Sequence, residues 1–78
     1  SRKMRTPETL YVEHASIIFK NKHGTITYNV MKWNGDEGTR QESVAFGILK
    51  DEEQLRQFKS CDTLQDVIDI HSLGSVSP

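Results

Sequence analysis

The sequence predicts a small α+β domain: an antiparallel sheet of about three strands with one or two C-terminal helices packed on one face. Strict apolar–polar alternation over residues 25–33 marks a strand, and glycine-bearing polar segments on either side mark turns. After Asp51 the apolar spacing changes from every second residue to a helical i, i+3, i+4 pattern.

Residues 1–8 (SRKMRTPE) are polar, basic and broken by Pro7, and read as a disordered lead-in. Residues 9–20 (TLYVEHASIIFK) read as a strand that is covered on both sides or bends at Ala15-Ser16. Asn21-Lys22-His23-Gly24 follows as a hairpin loop with Gly24 at positive φ. In 25–33 (TITYNVMKW), Ile26, Tyr28 and Val30 share one face, and Met31 and Trp33 share the other. Asn34–Gly38 is a polar loop. Residues 42–49 put Val44, Phe46 and Ile48 on one face and the small Ala45 and Gly47 on the other, so either something packs closely there or the strand bulges at Gly47.

Asp51 followed by Gln54, and Asp62 followed by Gln65, resemble capping boxes and favour two helices over one kinked helix. Leu55 and Phe58 line the first helix; Leu64, Val67, Ile68 and His71 line the second. Both stripes should bury against Ile26, Tyr28 and Val30. Gly74 fits a helix terminator, which leaves a single domain over 9–73 and a flexible tail over 74–78.

Composition narrows the function classes. The 78 residues carry a net charge of −1, which gives no basic field for nucleic acid; Arg2, Lys3 and Arg5 form the only dense basic cluster. An apolar fraction of 35% supports one modest core and leaves little room for a deep substrate cavity, so the chain is not expected to be an enzyme. The single cysteine, Cys61, excludes an internal disulfide and, with no signal-peptide or membrane-spanning run, points to an intracellular (nuclear or cytoplasmic) protein with no membrane partner. Ser1 in place of Met leads to the expectation that the domain belongs to a larger protein.

His14, His23, His71 and Cys61 match no zinc spacing, so neither metal nor cofactor is expected. Cys61 beside Asp62 is a poor nucleophile and reads as a small packed thiol. The acidic residues Asp36, Glu37, Glu42, Asp51, Glu52 and Glu53 read either as a patch for a basic partner or as solvated surface. Trp33 lies opposite the core face of its strand, either packed as core or exposed as an anchor. The candidate binding residues are Tyr11, Trp33, Asp36 and Glu37; no catalytic residue is expected.

Tyr11-Val12-Glu13, Gly24 and the run Tyr28-Asn29-Val30-Met31-Lys32-Trp33-Asn34-Gly35 resemble the opening of a chromodomain. The resemblance implies that Tyr11 and Trp33 form walls of an aromatic cage for a methylated lysine. Leu64-Gln65-Asp66-Val67-Ile68 resembles the dimerising helix of chromoshadow domains. The stretch from Val44 to Phe58 is similar to the last strand and helix of a pleckstrin-homology-like (EVH1-like) domain. The expected function is that of a non-catalytic module that binds a protein or a basic or methylated peptide. The alternatives are a homodimerisation or assembly domain that uses its C-terminal helix, and a fragment of a pleckstrin-homology-like domain.

Overall fold

The structure, a computed structural model, describes residues 7–74. The first six residues of the expected lead-in and the last four of the expected tail lie outside the described residues. The order is β1 (Thr9–Val12), β2 (Ala15–Lys22), β3 (Thr25–Asn34), β4 (Arg40–Ile48), α1 (Glu52–Lys59) and α2 (Leu64–Gly74). The strands form one antiparallel four-stranded sheet in the order β1-β2-β3-β4, and both helices lie on one of its faces.

The α+β class is as expected, with one strand more. Residues 9–20 do not bend; they reverse. Val12 pairs with Ala15 across a two-residue turn, Glu13-His14, and His14 takes the left-handed conformation at φ 62°. The sequence hid this turn because it contains no Gly, Asn, Asp or Pro, the residues that ordinarily mark one. Two backbone bonds fix it in place. The His14 carbonyl accepts from the Trp33 N–H at 3.0 Å, and the Glu13 N–H donates to the Asp62 carbonyl at 3.0 Å. The second hairpin is tighter than expected: β2 runs through Lys22, leaving His23 (φ 54°) and Gly24 (φ 87°) as the turn, both left-handed. That is the type I′ pattern, whose twist suits the flanking strands. The side chain of Asn21 accepts from the Gly24 N–H at 3.0 Å.

The core is the face shared by Ile17, Phe19, Ile26, Tyr28, Val30 and Ala45, closed by Leu49, Leu55, Phe58 and Val67. Phe58 is the keystone. Its ring lies 4.9 Å from that of Tyr28 and 6.3 Å from that of Phe19, so α1 is pinned to both central strands. Leu55, Phe58 and Val67 are buried as expected, while Leu64 and Ile68 are half-buried at the core's margin.

Two helices form, and each is capped from its own sequence. Asp51 accepts from the Gln54 N–H at 2.8 Å, and the Gln54 side chain accepts from the Lys50 N–H at 2.6 Å. For α2 the cap is Thr63, one residue later than expected. The Thr63 hydroxyl accepts from the Asp66 N–H, and the Asp66 carboxylate accepts from the N–H groups of Asp62 and Thr63. The last described residue, Gly74, belongs to α2.

Among the described residues no helix is long and apolar enough to cross a membrane.

Candidate functional site

The face of the sheet turned away from the helices collects the outward residues of every strand. Register places Tyr11 opposite Ser16, Ser16 opposite Met31, and Asn29 opposite Phe46. This face carries unusually large apolar groups: Tyr11 is 70% exposed, Phe46 63% and Ile48 62%.

Trp33 is held firmly within it. Its indole N–H donates to the Ser16 hydroxyl at 3.4 Å, and Ser16 is only 4% exposed. On another side the turn after β3 closes over the ring. A Cβ at Gly38 would stand 3.4 Å from the indole Cε3, an ordinary packing distance, so the turn lies against the ring; Gly38 has φ 67°, so its backbone conformation favours glycine. Tyr11 meets the indole in a T-shaped arrangement with ring centres 6.0 Å apart. The structure therefore brings together Tyr11, Trp33 and the turn that bears Asp36 and Glu37, whose side chains are exposed. Trp33 is half-buried: its edge is packed, while the site as a whole stays open to solvent.

The six acidic residues do not form one patch. Asp36 and Glu37 sit in the turn that precedes β4, and Glu42 accepts from the Asn34 amide at 3.0 Å. Asp51, Glu52 and Glu53 lie past the other end of that strand, on the order of 25 Å away for extended chain of this length. Asp51 caps α1, and Glu53 is paired with Arg56.

Tyr28, which the chromodomain-like run contains, lies on the opposite face from Trp33 and is 2% exposed. Its hydroxyl shares a 2.7 Å hydrogen bond with His71 Nδ1, and burial raises its pKa. His71 thus closes the core from α2. Cys61 is half-buried at the helix junction, and its thiol contacts the Gln57 carbonyl at 3.3 Å. Burial, then the nearby Asp66 and Asp62, push its pKa up to about 11, which keeps it protonated and a weak nucleophile at neutral pH. A shallow groove of about 460 Å³ beside it is lined by Gln57, Asp66, Asp69, Ile70 and Leu73 and brings it no histidine. Among the described residues no three His, Cys, Asp or Glu side chains converge on a metal-sized site.

Sequence reasoning missed Ser16, Phe46 and Ile48. For the latter two the signal was present. The small Ala45 and Gly47 are the core side of β4, because the Tyr28 ring fills the space above Gly47. The large side chains must then point outward. Of the two readings of Gly47, close packing is the one that holds; the bulge of β4 lies at Val44, where the β3–β4 register slips between Val30 and Met31. No known protein family, curated protein or solved structure matches this chain.

Proposed function

We propose that this chain is a non-catalytic module that binds a basic protein segment on the open face of its sheet, centred on Tyr11 and Trp33. The observation that carries this reading is the juxtaposition of two aromatic rings, one of them 70% exposed, on a face that neither α1 nor α2 covers. Exposed aromatic anchors beside a fixed scaffold are the side chains that dominate recognition surfaces. Asp36 and Glu37 supply negative charge at the rim, where charge selects the partner and speeds its encounter. A lysine or arginine side chain, or a methylated lysine, gains cation–π attraction from the rings and Coulombic attraction from the rim. The domain then reads extended, positively charged segments of other proteins.

Trp33 is the only tryptophan, so its fluorescence reports the site directly. Length-matched peptides that carry lysine, trimethyl-lysine or glutamate at the centre should separate in a titration. The first two shift Trp33 emission saturably and the third does not. Asp36→Asn with Glu37→Gln should weaken binding and flatten its salt dependence. Equal response to all three peptides, or none to any, removes the assignment.

A further inference from the structure

We infer that β4 is a self-pairing edge, through which two copies of this chain join in one continuous antiparallel sheet. β4 is the outer strand of the sheet and the longer of its two edges. The Leu49 N–H donates to the Ile26 carbonyl at 2.7 Å, one step beyond the Thr27–Ile48 pair. In an antiparallel ladder the hydrogen-bonded pairs alternate, so Gly47 and Ala45 spend their backbone groups on β3. The N–H and C=O groups of Phe46 and Ile48 therefore point out of the sheet. Natural edges are usually blunted by lysine, proline or a covering segment. The bulge at Val44 and the charges of Arg40 and Glu42 protect the first half of β4, whereas its second half carries no charge and two large exposed apolar side chains.

A second copy fits this edge better than an unrelated strand because the edge is complementary to itself. Antiparallel pairing about Gly47 sets Phe46 of each copy against Ile48 of the other, aromatic on β-branched, and lets both outward pairs of backbone groups bond clear of the bulge. The two-fold axis runs perpendicular to the sheet, so the two open faces end on the same side. Phe46 and Ile48 of both copies then form one apolar stripe, and two Tyr11–Trp33 sites face the same way.

Sedimentation of the full chain across a micromolar-to-millimolar series tests this. The expected mass rises from 8.9 kDa toward twice that value. Phe46→Lys, at an exposed position, should weaken association roughly tenfold or more while the circular dichroism spectrum and melting curve stay unchanged. Phe46→Pro removes only an outward N–H, so it should leave the β3–β4 ladder formed and also abolish pairing. A chain that stays monomeric throughout, its edge left for a strand of another protein, overturns the inference. So does a dimer that persists unchanged in both folded variants, as one built on α2 would.

Discussion

At the scale of single residues, the tightest constraint in the molecule is the contact between Tyr28 and Gly47. A Cβ at position 47 would lie 2.5 Å from the Tyr28 hydroxyl oxygen and 2.7 Å from the carbon that bears it. The ring cannot swing aside, because Phe58 packs against it and His71 holds its hydroxyl. Gly47→Ala should therefore destabilise the chain by roughly 1–3 kcal/mol in urea unfolding, the usual cost of overpacking. Tyr28→Phe alone should cost about 0.5–1.5 kcal/mol for the lost hydrogen bond, since His71 is near enough to the surface to turn to water. The two changes couple. With the hydroxyl gone, the added methyl loses its worst clash, so the double variant should be less destabilised than the sum of the singles. Strict additivity in that cycle would mean that Gly47 is present for its backbone and not for the space it leaves.

At the scale of elements, the patterns that survive translation into structure are those whose physics is local. The cap at Asp51 depends only on residues within one helical turn, and it forms as read. The alternation in 25–33 sets its two faces by the pleat alone, and Tyr28 and Trp33 fall on opposite sides accordingly. The turn at Glu13-His14 was not legible, because its stability comes from Trp33 and Asp62, which are distant in sequence. The second cap was misread by one residue because Asp62 and Thr63 are both good caps, and the choice falls to Asp66, which reaches back to both N–H groups. Those bonds hold the Asp66 carboxyl below the usual carboxylate range. A lowered folded-state pKa means that the unfolded chain takes up the proton first as pH falls. The contribution is complete above the ordinary value of 3.8 and disappears as pH drops through the lowered one. Asp66→Asn should remove that part of the acid dependence, and Thr63→Ala should cost about 0.5–2 kcal/mol at neutral pH. A variant with unchanged acid unfolding would show that the reach-back bonds contribute nothing.

At the scale of the whole molecule, the sheet divides two tasks between its faces. One face, with Ile17, Tyr28, Val30, Phe58 and Val67 almost fully buried, holds the fold; the other, with Tyr11, Phe46 and Ile48 exposed, is free to vary in what it meets. The proximity of Tyr11 to Trp33 followed from the sequence only as a guess about neighbouring strands. It becomes geometry because the Glu13-His14 reversal places β1 antiparallel to β2, with Tyr11 over Ser16 beneath the indole. The division has a measurable consequence. Phe58→Ala opens a cavity in the core of the described residues, where loss of a phenylalanine costs about 3–5 kcal/mol. A chain of this size has roughly that much to lose, so the variant should be largely unfolded. Trp33→Ala removes a larger side chain from a half-exposed site and breaks one bond, to Ser16, that water can replace. It should keep the native circular dichroism spectrum and a cooperative urea transition, with its midpoint well above that of Phe58→Ala, and should lose binding to the lysine peptides. If Trp33→Ala unfolds as readily as Phe58→Ala, then the indole is part of the core, the open face is structural, and the binding site must be sought on another surface.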